Sequence, residues 1–315
     1  MRTLPLGNTG EQVSALCLGA MYFGTRQDEA LSFALLDQYV EAGGTFIDTA
    51  NIYAHWAAGG QGGESEALLG RWMRARGNRD QLFIATKVGF AYQDVPRGLS
   101  PQLVEDECNK SLERLGIDTI DLYYAHCDDR TTPIRESLVA LDKLVQAGKV
   151  RYIGGSNYAA WRLERAHAVS KADGLASFCC LQQRYTYLRP KPGTAFDPQL
   201  AVNDDMLDYV ASRADDFTLL AYSVLLSGSY TRDDRPIQEQ YAGPDSDARL
   251  AVLRAVADEH GVSPNQVILA WMLHSDPPVI PLIAASSHAQ MAENLAALDL
   301  TLTPEHMQRL NAARA

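Results

Sequence analysis

Thr119-Ile120-Asp121-Leu122-Tyr123-Tyr124-Ala125-His126 is a run rich in β-branched and aromatic residues that ends in a histidine. After it, Ile134, Leu138, Leu141 and Val145 recur at intervals of four, three and four, one face of a helix. Val150-Arg151-Tyr152-Ile153 then reads as another strand, so the stretch is strand, helix, strand, the unit of a parallel sheet. Working outward, similar runs fall at Ala15–Leu18, Thr45–Asp48 and Leu82–Thr86 before it. Ser177–Leu181, Phe217–Ala221 and Val279–Ile283 follow it, which makes eight strands in all. From the second strand to the seventh, each gap has room for one helix.

Helix starts support this reading. Ser100-Pro101, Thr132-Pro133, Ser263-Pro264 and Thr303-Pro304 each place a capping side chain before a proline at the first helical position. Ser263 and Gln266 also have the spacing of a capping box. Gly7-Asn8-Thr9-Gly10 signals an opening hairpin, and Met291, Leu295 and Leu298 begin an apolar helical face near the end. The alternation predicts one α/β domain over residues 1–315, a (β/α)8 TIM barrel with an N-terminal β-hairpin and an extra C-terminal helix. A doubly wound open sheet is the rival on strand count alone. Two long loops stand out, the Gly-rich Ala57–Gly63 and the polar Val224–Asp245.

A chain of 315 residues can bury roughly three quarters of its surface and needs no disulfide staple. Lys+Arg 28 against Asp+Glu 39 gives a net charge of −11, which disfavours nucleic acid and anionic membranes as general partners. No apolar run is long enough to span a bilayer, and the N-terminus has no signal-peptide core. The five cysteines form no CxxC pair, and with their odd number they predict reduced thiols in the cytoplasm. His55, His126, His167, His260, His274, His288 and His306 are scattered without ligand spacing, so no metal is expected.

In such a barrel, chemistry gathers at the C-terminal ends of the strands. There the sequence places Asp48 with Tyr53 just beyond it, Lys87, His126, Ser156-Asn157, Gln182 and Tyr222-Ser223. A lysine closing an apolar strand needs a counter-charge, and Asp48 on the neighbouring strand can supply it. A lysine beside a tyrosine favours the phenolate and lowers the phenol's pKa; a histidine on the next strand can polarise a carbonyl oxygen. Singly, each of these residues is as well explained by capping or packing. Together, at consecutive strand ends, Asp48, Tyr53, Lys87 and His126 make a site that protonates an oxygen while hydride arrives from elsewhere.

These residues carry a family resemblance. Gly44-Thr45-Phe46-Ile47-Asp48-Thr49-Ala50 with Tyr53, Glu66-Ala67-Leu68-Leu69-Gly70, Thr86-Lys87 and Asp121-Leu122-Tyr123-Tyr124 with His126 resemble the aldo-keto reductases. So do Gly148-Lys149-Val150-Arg151-Tyr152-Ile153-Gly154 with Ser156-Asn157, Gln182-Gln183-Arg184-Tyr185, Ala221-Tyr222-Ser223 and Glu293-Asn294-Leu295. The resemblance spans the chain in order. It implies an oxidoreductase that interconverts an aldehyde or ketone and its alcohol, taking a nicotinamide dinucleotide without a Rossmann fold. NADP is the expected coenzyme and NAD the alternative. Tyr53 would be the general acid, assisted by Lys87 and Asp48, with His126 orienting the carbonyl. Ser156, Asn157 and Gln182 would hold the carboxamide and Tyr222 would stack on the nicotinamide. Ser223, Leu225 and Ser227 would follow the pyrophosphate; Glu293 and Asn294 would reach the adenine. Met21, Asp48, Ala284, Ser286 and Gln290 complete the expected cofactor set.

The chain departs from the family at Val224-Leu225-Leu226, usually Pro-Leu-Gly, and at Ala284-Ala285-Ser286, often Gly, Lys or Arg. Gln290 stands where some members have arginine, so a 2′-phosphate would rest on Ser286, Ser287 and a helix N-terminus. Tyr22, Phe23, Trp56, Phe90 and Tyr92 would wall the substrate site beside His126. His55, Asp128, Asp129 and Arg130 would add polarity suited to a hydroxylated or sugar-like carbonyl compound.

Three rivals are weaker. A doubly wound enzyme needs GxGxxG where Leu18-Gly19-Ala20-Met21-Tyr22-Phe23-Gly24 stands, and Pro190 breaks the helix that Tyr187-x-x-x-Lys191 would need. A barrel glycosidase would need two carboxylates such as Asp48 and Asp128, yet Lys87 keeps the first ionised. A non-catalytic nucleotide-binding subunit of the channel β-subunit type is the other alternative, against which the complete tetrad argues.

Overall fold

The computed structural model describes residues 1–315. A hairpin of β1 (Thr3–Pro5) and β2 (Gln12–Ser14) precedes eight parallel strands. These are β3 (Cys17–Gly19), β4 (Phe46–Asp48), β5 (Phe83–Val88), β6 (Ile120–Ala125), β7 (Val150–Ser156), β8 (Phe178–Arg184), β9 (Thr218–Tyr222) and β10 (Val279–Ile283). They close in sequence order, with β10 pairing β3. This is the (β/α)8 barrel read from the sequence, and the closure removes the open-sheet alternative.

Side chains alternate across each strand, and this decides what fills the barrel. Phe46, Ala85, Leu122, Tyr124, Cys180, Leu220 and Ile280 point inward and pack together. Leu6 and Val13 of the hairpin join them, so the hairpin plugs the N-terminal end. The intervening residues Ile47, Ile84, Tyr123, Leu181 and Leu219 face outward into the larger core beneath the helices. Gly7 N–H donates to Thr218 Oγ1 at 2.7 Å, tying the plug to the start of β9.

Helices α1 (Glu29–Glu41), α2 (Glu64–Arg76), α3 (Pro101–Leu115), α4 (Ile134–Gln146), α5 (Ala160–Asp173) and α6 (Asp204–Ser212) alternate with the strands. Two helices, α7 (Pro244–His260) and α8 (Pro264–Leu273), lie between β9 and β10, followed by α9 (His288–Ala296) and the extra C-terminal α10 (Pro304–Ala312). One close approach sets the entry to β4. Tyr39 lays its ring over Gly44, where a Cβ would stand 2.4 Å from Cζ. Its hydroxyl reaches the carbonyls of Leu16 (2.7 Å) and Phe46 (2.9 Å), linking α1 to both strands.

Ser100 and Ser263 cap as expected, the latter in a full capping box with Gln266. Thr132-Pro133 behaves differently: Pro133 is itself the cap residue of α4. The Asp129 carboxylate has already accepted the amides of Thr131 and Thr132, which shapes the chain into a turn before the helix. The gap between β8 and β9 also differs. Its helix α6 has only nine residues, leaving a long segment 185–203 as loop over the barrel flank. No helix is long and apolar enough to cross a membrane.

Candidate active site

The alternation that points Phe46, Ala85 and Cys180 into the barrel also points in Asp48, Lys87 and Gln182, two residues further on. There the apolar filling gives way to a polar layer. The Lys87 ammonium is fully buried and pairs with Asp48, which is 1% exposed. It also donates to the Thr49 carbonyl at 2.6 Å and to the Tyr53 hydroxyl at 3.0 Å. Gln182 Nε2 donates to the other Asp48 oxygen at 2.7 Å. Both charges are thus hydrogen-bonded as well as paired, the condition for keeping an ion pair out of water.

Burial works against the Lys87 charge, but Asp48 and the Tyr53 oxygen outweigh it and hold the ammonium protonated. Burial pushes the Asp48 carboxyl up, while Lys87 and Gln182 favour its charged form. The Tyr53 phenol is held above its ordinary value, because burial outweighs the downward pull of Lys87. The lysine alone was expected to lower it; loss of water around the ring is the opposing cause. A phenol in this state keeps its proton at neutral pH, as a proton donor must.

His126 follows β6, its imidazole held well below the usual pKa by burial and by Lys87, hence neutral. Its Nδ1 is sealed off without a partner. An unpaired acceptor there costs less than an unpaired N–H, so the proton belongs on Nε2. The ring lies edge-on to Tyr53 with centroids 6.0 Å apart, and to Phe90 at 4.6 Å. A carbonyl oxygen near Tyr53 would therefore meet two hydrogen-bond donors.

The loop carrying Tyr53 is braced from behind by a residue the sequence did not advertise. Glu107, on α3 and fully buried, accepts from Asn51 Nδ2 (2.6 Å), the Tyr92 hydroxyl (2.5 Å) and Lys110 (2.8 Å). The Tyr92 ring in turn rests on Gly62, whose φ of +89° and lack of a Cβ admit it. Gly63 N–H then donates to the Tyr53 carbonyl at 3.2 Å. Beside this lies a second buried carboxylate, Glu66, accepting from Thr86 (2.5 Å) and Arg114 (2.6 Å). All six non-glycine residues with positive φ fall on loops at this end of the barrel: Ala54, Gln93, Asn157, Ser223, Leu226 and Ser227. Strain of that kind gathers where a surface has been shaped for a ligand.

On the far side, the residues expected to meet a nicotinamide dinucleotide converge only in part. Tyr222 donates to Asn157 Oδ1 at 2.7 Å, and Asn157 Nδ2 donates to the His126 carbonyl (2.9 Å) and Ser156 Oγ (3.1 Å). This uses the Asn157 amide internally. Gln182 spends its NH2 on Asp48, while its Oε1 and the Ser156 hydroxyl proton stay available, a matched acceptor and donor for a primary carboxamide. The N–H groups of Val224 and Leu225 donate to nothing in the protein, as a site for an anionic group requires. These features fit the dinucleotide. Met21 is half-buried after β3, and Ala284 and Ser227 are exposed. Ser286 donates from N (2.7 Å) and Oγ (2.9 Å) to Gln290 Oε1. Asn294 holds the Ala284 carbonyl at 3.0 Å, and Glu293 accepts from Ser263 (2.5 Å) and Asn265 (3.2 Å) at the start of α8. Glu293 is thus engaged by a neighbouring helix. Leu225 is half-buried beside Ser223.

The substrate wall needs correction. Phe23 is 1% exposed and belongs to the main core, so it does not line the mouth. Tyr92 is buried with its hydroxyl on Glu107 and serves as a brace. Asp128 is clasped by Arg162 (2.8 Å) and also pairs with Arg130, while Asp129 accepts the Leu99, Thr131 and Thr132 amides. Both aspartates of the set expected to greet a sugar are therefore engaged internally, while the His55 ring makes no hydrogen bond and Arg130 is exposed. With Asp48 on Lys87 and Asp128 on Arg162, the carboxylate pair of a glycosidase is also not free. Aromatic side chains also stand open at the mouth. Trp56 is 43% exposed, edge-on to Tyr53 at 6.0 Å and to His55 at 5.2 Å, and Phe90 stands opposite. Tyr22, under the Arg26 guanidinium at 4.4 Å, lies on the β3 side.

Comparison with known proteins places the chain in a family. The model of the aldo/keto reductase family matches residues 15–315. The chain is 33% identical to the aldo-keto reductase str7 of Strobilurus tenacellus, covering 96% of this chain and 90% of that one. It is 32% identical to the norsolorinic acid reductase stcV of Emericella nidulans, over 96% of this chain and 78% of that one. An aryl-alcohol dehydrogenase [NADP(+)] of Phanerodontia chrysosporium is 30% identical over 96% and 83% of the two chains. Among solved structures, a thermostable aldo-keto reductase crystallised with the inhibitor epalrestat superposes with a TM-score of 0.78 at 29% identity, over 99% of both chains.

Proposed function

Because the chain belongs to the aldo/keto reductase family, we propose that it reduces aryl aldehydes and ketones with NADPH, Tyr53 donating the proton. Membership carries the coarser statement, an oxidoreductase acting on carbonyl and alcohol groups with NADP(H) or NAD(H). The observation that supports the finer one is the buried Lys87, paired with Asp48 and 3.0 Å from the Tyr53 hydroxyl.

When bound, the reduced nicotinamide supplies a hydride to the carbonyl carbon. Tyr222 would stack against the nicotinamide, and Ser156 and Gln182 would hold its carboxamide, with Asp48 fixing Gln182 in place. Tyr53 and His126 Nε2–H both donate to the carbonyl oxygen, polarising it and fixing its position. As the oxygen gains negative charge, Tyr53 transfers its proton to it, and the new phenolate is held by the Lys87 ammonium at the hydroxyl. In alcohol oxidation the same groups run in reverse, so that direction gains with alkalinity as the phenolate forms. Reduction stays level through neutral pH and falls only above the ordinary tyrosine range, because burial raises this phenol.

Trp56 and Phe90 support the aryl part of the reading, as do relatives that act on aromatic compounds by name. A panel of benzaldehyde, 4-methoxybenzaldehyde, glyceraldehyde and xylose tests it. The aryl compounds are expected to exceed the sugars in kcat/KM by at least about tenfold, the worth of one buried aromatic contact. Sugars turning over faster would overturn the aryl assignment and restore a polar site.

A further inference from the structure

Helix α6 has nine residues where α1 to α5 have at least thirteen, so it covers less of the barrel flank. The loop 185–203 spans the rest. Beneath that loop lies a cavity of about 1260 Å³, bounded also by α6, the C-terminal end of α8 and α10. Its back wall includes Leu219 of β9 and Val279 of β10, paired residues that pack into the core outside the barrel. None of Asp48, Tyr53, Lys87 and His126 lines it. The barrel wall therefore stands between this space and the active site.

The lining holds under-bonded donors. Arg249 is 3% exposed, with its Nε on Asp245 at 3.0 Å. Its Nη1 reaches the Tyr187 carbonyl only at 3.5 Å, and its Nη2 is sealed in without a partner. Asp245 is 43% exposed, so water weakens its hold on this charge. Arg184, also buried on the lining, has only neutral partners in Tyr241, Gln199, Ser223 and Gln238. A guanidinium keeps its proton in a protein, so both stay cationic. The half-buried Tyr185 makes no hydrogen bond through its hydroxyl, and the charges of Arg189 and Arg249 both act on it. Arg189 is exposed at the edge of the same cavity and pairs with no carboxylate.

Aromatic faces surround these donors. Trp271 lies 5.6 Å from Tyr185, and Phe196 lies 5.5 Å from Tyr241. The acids of the lining, Asp197, Asp204, Asp208 and Asp276, are all exposed and belong to its rim. They oppose a doubly charged phosphate more than a single carboxylate. A loosely packed loop alone would leave an apolar void. It would not leave a sealed guanidinium nitrogen and a free hydroxyl on the walls, because such groups are costly without partners.

We propose that this flank cavity is a second ligand site that takes an aromatic carboxylate. The Tyr185 hydroxyl and Arg189 hold the carboxyl group over the buried Arg249 charge, and the rings lie against Trp271. The volume admits a fused two-ring body. Calorimetric titration with 2-naphthoate and its neutral counterpart 2-naphthalenemethanol tests the site. Wild-type protein is compared with Arg189→Met, Tyr185→Phe, Leu207→Trp, which fills the cavity from α6, and Trp56→Ala, which alters the barrel mouth. Naphthoate is expected to bind wild-type protein at least about tenfold tighter than the alcohol, the worth of a hydrogen-bonded charge. Arg189→Met and Tyr185→Phe each remove most of that preference. Leu207→Trp abolishes a binding step that Trp56→Ala keeps, and it leaves benzaldehyde turnover at the wild-type rate.

Equal affinity of wild-type protein for naphthoate and the alcohol would overturn the site. So would binding indifferent to Leu207→Trp, or binding lost in Trp56→Ala, which would put naphthoate at the barrel mouth. If Leu207→Trp fails to fold, the preference for the carboxylate and its loss in Arg189→Met still decide.

Discussion

Tyr53→Phe is expected to lower kcat for aldehyde reduction by about 10²- to 10⁴-fold, the usual worth of a positioned general acid. NADPH affinity should hold, since the lost hydroxyl faces the carbonyl oxygen. The variant is a clean one in this setting. Phenylalanine keeps the ring between Trp56 and His126, and Lys87 retains Asp48 and the Thr49 carbonyl as partners. Folding stability should therefore change little, and the loss reads as chemistry. Residual activity should also lose the alkaline fall that the Tyr53 phenol imposes. Wild-type turnover in this variant would mean that the proton reaches the oxygen from another group.

Lys87→Met is expected to be as damaging to turnover and far more damaging to the fold. The ammonium is the main partner of a carboxylate that is 1% exposed, and Gln182 alone would remain. Leaving that charge buried and unpaired costs about 3–5 kcal/mol, or forces Asp48 to take a proton. Adding Asp48→Asn separates the two effects. The double variant removes both charges, and asparagine can still face Gln182, so most of the stability should return in a denaturant titration. Activity should not return, because the phenolate left by proton transfer would have no cation beside it. Recovery of both together would make Lys87 a structural residue and remove its catalytic assignment.

How much of this was legible beforehand depends on the residue. Asp48, Lys87, His126 and Gln182 could be read because strand alternation is rigid: a polar residue two places beyond an inward-facing apolar one must cap the barrel filling. Tyr53 could be read from its place just beyond Asp48, but its position could not, since it sits on a loop whose path is fixed by Gly62, Gly63 and Tyr92. Glu107 looked like one more carboxylate on an acidic helix beside Glu105 and Asp106. Its burial shows only when Asn51 and Tyr92 arrive from two other loops. Phe23 and Asp128 misled in the opposite direction: an aromatic and a carboxylate on mouth loops look available until packing and Arg162 claim them. The loop 185–203 was missed because the spacing of β8 and β9 leaves room for a full helix, and α6 uses only part of it.

The central claim is that this chain moves hydride from a nicotinamide to a carbonyl carbon while its own side chains protonate the oxygen. NADPH carrying deuterium at both C4 positions, incubated with benzaldehyde and the protein, tests it most directly. The expected product is benzyl alcohol with a single deuterium on the carbinol carbon, formed in step with NADPH consumption. Unlabelled alcohol, or NADPH consumed with the aldehyde untouched, would contradict it.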